Sequence, residues 1–258
     1  MKDVNTLIRE KLDEIEIEER VQILYACESG SRAWGFPSID SDYDVRFIYI
    51  RQSLDYLCLD EPRDVIERPI VGDLDINGWD LRKTLKLFYK SNPTLMEWLL
   101  SPIVYLEKSS VANNIRNLAY QFYQPAAAYA HYHSMARSTY RQELRGESIA
   151  LKKYFYVLRP IFAMKWIEEG LGVVPTEFQV MLDKLPLENA IKSEINDLRE
   201  RKKSGVELGR GPRIETISQY IENDLQSREN GYPDLPKVKN NTDELNQLFQ
   251  QSLKDVWA

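Results

Sequence analysis

The stretch YACESGSRAWGFPSIDSDYDVRFIYI, residues 25–50, decides how this sequence is interpreted. It joins an apolar run to a Gly-Ser pair and then to two aspartates, one residue apart, in front of a second apolar run. Side chains two residues apart in a β-strand point to the same side. If residues 43–50 are extended, Asp42, Asp44 and Arg46 share one face, and the aromatic and β-branched side chains take the other.

Two neighbouring carboxylates repel each other and destabilise a fold unless a cation lies between them. Mg²⁺ prefers oxygen ligands and binds through one or two carboxylates together with substrate phosphates. The pair Asp42 and Asp44 therefore indicates a Mg²⁺ site, with Mn²⁺ as a substitute ion. The alternative is a solvated turn, because SIDSDYD is rich in turn-forming residues.

A phosphate-binding turn is expected just upstream, where Gly30 and Ser31 stand near a predicted helix start. Backbone N–H groups at such a place bind anions, and glycine lets a ligand approach the backbone closely. The Ser31 hydroxyl and the Arg32 guanidinium can add hydrogen bonds to phosphate oxygens.

A site of this kind needs a third carboxylate, and the predicted strand DLDINGW offers three candidates. Asp75 ranks first because it lies within the strand. Asp80 ranks below it, in second place, because it is better explained as the N-cap of the following helix. Asp73 ranks third because it lies nearer the strand entry.

The pattern of the whole chain predicts an α+β fold: a small mixed sheet with flanking helices, followed by an all-helical C-terminal domain. Strands are expected over residues 21–27, 43–50 and 73–79. Beyond residue 110 the periodicity is helical, including a long segment over 147–170. We predict two domains, a catalytic domain over residues 1–108 and a helical nucleotide- or substrate-binding domain over 109–258.

Composition excludes several classes of protein. The 258 residues, 29% charged and 43% hydrophobic, are typical of a globular chain, and the apolar runs are too short for a membrane span. The charged N-terminus does not resemble a signal peptide, and two cysteines make no disulfide framework, so a cytoplasmic location without a membrane partner is expected. The net charge of −6 leaves only local basic clusters, such as RSTYRQELR and RERKK, for a polyanion. Each cluster could instead be a solvated helix face, which is the simpler interpretation for RERKK.

The string GSRAWGFPSIDSDYD resembles the signature of the DNA polymerase β-type nucleotidyltransferase superfamily: an apolar strand, Gly-Ser, then Asp-x-Asp. The superfamily resemblance rests on residues 20–80. Together with INGWDLRKTLKLFYKSNPTLMEWLLSPIVY and KKYFYVLRP, the chain resembles the YcgL-like group of nucleotidyltransferases, relatives of RNA-repair polymerases. The sequence departs from minimal members of the superfamily in having Trp34 where a second basic residue is often found.

The resemblance implies a division of roles among these residues. Asp42 and Asp44 would hold Mg²⁺ and the nucleoside triphosphate, and Asp75 would orient or deprotonate the attacking hydroxyl. Gly30 and Ser31 would bind the β- and γ-phosphates. Arg46 would either contact the triphosphate or form a structural ion pair with an aspartate.

Superfamily members commonly complete the nucleotide site with cations and an aromatic side chain from a helical domain. In this sequence Lys152, Lys153 and Tyr156 are the candidates: a lysine for the γ-phosphate and the tyrosine for stacking on the base. Tyrosines at helical spacing are also common in cores. His131 and His133 are two residues apart, so on a helix they point about 200° from each other and cannot share one metal.

The sequence thus predicts a metal-dependent enzyme that transfers a nucleoside monophosphate from a nucleoside triphosphate to a hydroxyl and releases pyrophosphate. RNA or tRNA ends are candidate acceptors, and protein hydroxyls (AMPylation) and small molecules are alternatives. A different class is a non-catalytic module that senses the nucleotide. The base of the nucleotide, the acceptor and the oligomeric state are not fixed by the sequence.

Overall fold

The computed structural model describes residues 3–205, 208–229 and 231–257. Its elements divide into two compact units. The first unit comprises Met1–Ala33, Asp42–Tyr123 and Val238–Ala258, and the second comprises Trp34–Ser41 and Gln124–Lys237.

The first unit is built on a five-stranded sheet. Its strands are β1 (Gln22–Glu28), β2 (Tyr43–Ile50), β3 (Val65–Glu67), β4 (Leu74–Asp80) and β5 (Val104–Glu107). The spatial order is β3-β4-β2-β1-β5. β2 and β4 run parallel, and the other neighbours are antiparallel, so the sheet is mixed.

The described residues of the same unit form six helices. They are α1 (Val4–Glu19), α2 (Gly30–Ala33), α3 (Leu81–Tyr89), α4 (Pro93–Leu99), α5 (Val111–Phe122) and α11 (Asp243–Trp257), with a 3₁₀ turn at Ser53–Leu57. α1 buries Ile8, Leu12 and Ile15 in the same core as Val45 and Phe47 of β2. This core follows directly from the apolar periodicity of α1 and the alternation of β2.

Sequence signals fix where α3 and α4 begin. The Asp80 carboxylate accepts the Arg82 N–H at 2.7 Å, and the Asn92 side chain accepts the Leu95 N–H at 3.1 Å. Proline occupies the first position of α4, where its missing N–H costs no helical hydrogen bond. Both caps satisfy N–H groups that a helix start would leave unpaired.

The second unit is mainly helical. Its helices are α6 (Pro125–Glu143), α7 (Lys153–Glu168), α8 (Phe178–Lys184), α9 (Asn189–Lys203) and α10 (Glu215–Ser227), and its strands are β6 (Ser148–Ala150) and β7 (Arg210–Pro212). α7 is buried along nearly its whole length and packs on α6. Phe36, from the segment before β2, packs on Phe155 and Phe178 with ring centroids 4.6 and 5.5 Å away.

These elements confirm the predicted α+β class with a small mixed sheet and a helical C-terminal part. One local prediction is wrong: residues 148–150 do not begin a helix but pair with residues 210–212 as a two-stranded ribbon. A three-residue strand has too few residues to show its own periodicity, so only its partner reveals it. The predicted domain boundary near residue 108 stays a prediction.

Candidate active site

The turn after β1 brings backbone and carboxylate into close contact. Gly30 begins α2 with a φ of +58°, and a Cβ atom there would lie 2.0 Å from Oδ2 of Asp44. The Ser29 N–H also donates to the Asp44 carbonyl at 2.8 Å. Only glycine combines this left-handed backbone with so short an approach. The Gly-Ser turn and the start of β2 are therefore fixed against each other.

Parallel pairing of β2 with β4 places Asp44 opposite Asp75. Between their side chains lies Arg46, whose Nη2 donates to Asp44 Oδ1 at 2.9 Å and to Asp75 Oδ2 at 2.7 Å. Arg46 Nη1 donates to the Asp75 carbonyl at 3.0 Å. The cluster of Asp44, Arg46 and Asp75 thus unites two of the predicted acidic residues with one predicted cation. Arg46 forms the ion pair that was one of its two expected roles.

Asp42 precedes β2 and is placed differently. Its carbonyl accepts the Arg32 Nε–H at 3.1 Å, and the Arg32 guanidinium lies 3.7 Å from the centre of the Tyr43 ring. The negative charge of Asp42 nevertheless acts on Asp44. Arg32 is therefore held beside the aspartates by stacking and by a backbone contact.

Negative charge is concentrated at this end of β2. Burial raises the pKa of the Asp44 carboxyl above its ordinary value, and repulsion from Asp75 and Asp42 acts in the same direction. Arg46 and Arg32 oppose the rise but do not cancel it. A further cation would stabilise the ionised form of these carboxylates.

The donor set, which consists of carboxylate oxygens alone, suits a hard cation such as Mg²⁺. Within residues 3–205, 208–229 and 231–257, no three histidine, cysteine or acidic side chains already converge as ligands of one ion. Arg46 instead neutralises two of the three predicted ligands in the structure. The residues therefore fit the ion chemically, with Arg46 as its competitor.

The other two candidates for the third carboxylate are otherwise engaged. Asp80 caps α3 and also accepts a 2.7 Å hydrogen bond from the Tyr56 hydroxyl. Asp73 contributes its carbonyl, which accepts the Tyr43 N–H at 2.7 Å. Of the three aspartates, Asp75 is the one whose carboxylate shares a partner with Asp44.

Sequence reasoning missed Glu28, the last residue of β1. Its side chain is fully buried, accepts the Asp44 N–H at 2.8 Å through Oε1 and accepts the Tyr105 hydroxyl through Oε2. Burial raises the pKa of the Glu28 carboxyl, although both hydrogen bonds favour the ionised form. A carboxylate that ends an otherwise apolar strand, two residues before Gly30, was the available signal.

Lys152, Lys153 and Tyr156 lie at the start of α7 in the second unit. Lys153 pairs with Glu143 at 3.0 Å, and its Nζ lies 5.3 Å from the centre of the Tyr156 ring. Tyr156 is 43% exposed and meets Trp34 edge-on. Lys152 occupies the N-cap position of the helix. Lys153 and Tyr156 are thus neighbours, and the nucleotide-binding role of all three stays a prediction.

Three comparisons relate this chain to known proteins. The model of the RNA repair pathway DNA polymerase beta family matches residues 4–251. Protein YcgL of Bacillus subtilis (strain 168), described as uncharacterized, is 47% identical over 251 residues, which cover 97% of this chain and 96% of YcgL. The crystal structure of a nucleotidyltransferase-like protein from Exiguobacterium sibiricum 255-15 matches with a TM-score of 0.33 and 11% identity, covering 88% of this chain and 76% of the other. That structural likeness is too low to support an argument. The described helices include none that is long and apolar enough to cross a membrane.

Proposed function

Because this chain belongs to the RNA repair pathway DNA polymerase beta family, we propose that it transfers a nucleoside monophosphate from a nucleoside triphosphate to a hydroxyl group on RNA. Membership confirms the resemblance predicted from the sequence and indicates a nucleotidyltransferase. The nucleoside triphosphate, the metal ion and the RNA acceptor are the proposed parts.

The observation that supports this proposal most is the acidic cluster at the start of β2. Parallel pairing sets Asp44 beside Asp75, and Gly30 lies against the Asp44 carboxylate. Such an arrangement brings acidic side chains and a glycine turn together at one end of the interior strands. Phosphoryl transfer depends mainly on positioning and on charge stabilisation, and these residues provide groups for both.

We propose that Asp42, Asp44 and Asp75 hold Mg²⁺, or Mn²⁺ in its place. When bound, the ion supplies positive charge that stabilises the phosphoryl group in transfer. Arg46 then has to share or leave the two carboxylates it neutralises now, and its guanidinium becomes available to a phosphate. Asp75 is the proposed residue for orienting the attacking hydroxyl.

The proposed nucleotide contacts come from two regions. Gly30 and Ser31 would receive the phosphates, assisted by Arg32, which is already held beside the aspartates. Lys152, Lys153 and Tyr156 are the proposed contacts from the helical unit. The family's association with an RNA repair pathway supports an RNA acceptor.

The test is transfer of label from each α-³²P-labelled nucleoside triphosphate in the presence of Mg²⁺. Acceptors would be an RNA with a free 3′ hydroxyl, the same RNA with a blocked 3′ end, a protein mixture and an aminoglycoside. We expect label on the free-ended RNA and none on the blocked RNA. Label on protein or aminoglycoside instead would replace the RNA acceptor with that class.

The matched variants are Asp44→Asn and Asp60→Asn, which remove the same charge from the same unit. Asp60 is exposed and lies in the loop between β2 and β3. We expect Asp44→Asn to lower the transfer rate by about a hundredfold or more, the scale of losing a charge-stabilising group, and Asp60→Asn to leave it unchanged. Full activity of Asp44→Asn would contradict the proposed site.

A further inference from the structure

One face of α6 lines a cavity of about 490 Å³ in the second unit. Six neighbouring positions of the helix line it: His133, Ser134, Arg137, Ser138, Arg141 and Gln142. They form one strip because they recur at intervals of four residues. Each has a side chain that can donate a hydrogen bond. The residues described as lining this cavity include no carboxylate.

The strip continues into a second cavity of about 230 Å³, which shares Arg137 and Arg141 and adds Arg145. Arg137 and Arg141 stand four residues apart on α6, so their Cα atoms are separated by about 6 Å along the helix axis, and Arg145 follows just beyond the end of the helix. We call Arg137, Arg141 and Arg145 the arginine row. A row of this length suits a ligand with several anionic groups in succession better than a single phosphate.

The charges of the arginine row are only weakly neutralised. Arg137 lies 3.8 Å from Glu229, and both side chains are substantially exposed, so this pair contributes little. Arg145 lies over the Tyr140 ring, with 5.8 Å between the guanidinium carbon and the ring centre. Among the described residues, Arg141 has no hydrogen-bond, ion-pair or ring partner for its side chain.

Glu222, the carboxylate that lines the second cavity beside Glu229, is taken up by other groups. It accepts hydrogen bonds from the Arg213 guanidinium and, at 2.9 Å, from the Tyr140 hydroxyl. These bonds hold the pKa of the Glu222 carboxyl below its ordinary value. The carboxylate is therefore satisfied without the arginine row.

A buried histidine and an exposed aromatic ring complete the first cavity. His133 is only 6% exposed, and its Nε2 has no hydrogen-bond partner, whereas Nδ1 lies 3.3 Å from the Tyr232 hydroxyl. An unpaired buried polar atom is uncommon and requires an explanation. The Tyr232 ring lines the cavity and is 58% exposed, so one of its faces can accept a nucleic-acid base.

We propose that the arginine row binds successive phosphodiester groups of a single-stranded nucleic acid, with Tyr232 stacking on a base. Arginines along a groove combined with an exposed aromatic ring are the features by which proteins bind single strands. The inference rests on the proposed function, which it deepens by locating where the acceptor strand is held. It assigns the RSTYRQELR segment to a ligand rather than to a solvated helix face.

The test is fluorescence anisotropy of a labelled ten-nucleotide single-stranded RNA with the full chain at low salt. The matched variants are Arg141→Glu and Arg201→Glu, which make the same charge change at two exposed arginines of the second unit. We expect Arg141→Glu to weaken binding about tenfold or more and Arg201→Glu less than twofold. Equal losses would show that only net charge matters and would overturn the proposal.

Two further measurements test the strand and the ring. Arg141→Ala should reduce the slope of log K against log salt by about 0.7, the value for one phosphate contact on a single strand. Tyr232→Leu should weaken binding about tenfold, in the range for one stacked base. Displacement of the RNA by inorganic phosphate, by AMP or by polyglutamate at matched charge would overturn the assignment to a nucleic-acid strand.

Failure of this inference and failure of the proposed function give different results. If RNA binding depends on Arg141 but the protein transfers no label, the role of the arginine row is supported and the proposed enzymatic function is contradicted. If label is transferred to RNA while Arg141→Glu changes neither binding nor KM, the enzymatic function is supported and the role of the arginine row is contradicted. Asp44→Asn should bind the RNA as well as the unaltered chain.

Discussion

Replacing Gly30 by alanine should disable the candidate site without unfolding the protein. The new Cβ would lie 2.0 Å from Asp44 Oδ2 and 2.9 Å from its Cγ, where ordinary contacts begin at 3.4 Å. The carboxylate must therefore move by about 1 Å or more. A displacement of about 1 Å at a reacting centre can cost on the order of a hundredfold in rate.

The stability cost has two sources. Alanine at the φ of +58° costs about 1 kcal/mol because its Cβ crowds the following carbonyl oxygen. Moving the Asp44 side chain also weakens its 2.9 Å ion pair with Arg46, which is partly exposed and is worth about 1 kcal/mol or less. We therefore expect a loss of about 2 kcal/mol in the free energy of unfolding.

Gly72→Ala is the matched control, because Gly72 has nearly the same φ, +61°, and no atom within 4 Å of an added Cβ. It should lose about 1 kcal/mol from backbone strain and retain its activity. Urea denaturation measures the stability of both variants, and label transfer measures their rates. Equal activity of Gly30→Ala and Gly72→Ala would refute the argument that Gly30 is needed to position Asp44.

Three other changes have definite expected outcomes. Arg46→Ala leaves two partly buried carboxylates without their cation and should lose about 2 kcal/mol of stability. Mg²⁺ should raise the melting temperature of this variant more than that of the unaltered chain. The control Arg68→Ala also removes an arginine paired with two carboxylates and should show no such Mg²⁺ effect. Burial raises the pKa of Asp80 in the folded chain, so its stabilising contribution is complete below the unfolded pKa of about 3.9 and declines as the pH rises through the folded value. The melting temperature of Asp80→Asn relative to the unaltered chain should therefore be higher at pH 7 than at pH 4, and a pH-independent difference would contradict this. Tyr105→Phe removes a donor from a buried carboxylate and should cost about 1–3 kcal/mol in urea denaturation, whereas Tyr120→Phe, at a side chain that is 95% exposed, should cost nothing measurable.

The three long strands of the sheet were predictable because each is long enough to show an apolar or alternating pattern in its own sequence. The expected strands over 21–27, 43–50 and 73–79 lie within one residue of β1, β2 and β4. β3, β5, β6 and β7 contain only three or four residues each. Segments so short are set by the neighbour they pair with, which the local sequence does not specify.

The candidate site shows the same limit. Alternation along β2 was enough to predict that Asp44 and Arg46 share a face. The proximity of Asp75 depends on parallel pairing of β2 with β4, which joins residues 31 positions apart. Glu28 was missed because its partner Tyr105 lies on β5, and the sequence pattern did not reveal that strand.

The chain passes between its two units four times, since residues 34–41 belong to the second unit and residues 238–258 return to the first. A ribosome therefore finishes the helical unit before it supplies α11, which packs on α3 of the first unit. A nascent chain that stops short of α11 already contains Asp42, Asp44 and Asp75. It still lacks the final helix of the unit that positions them.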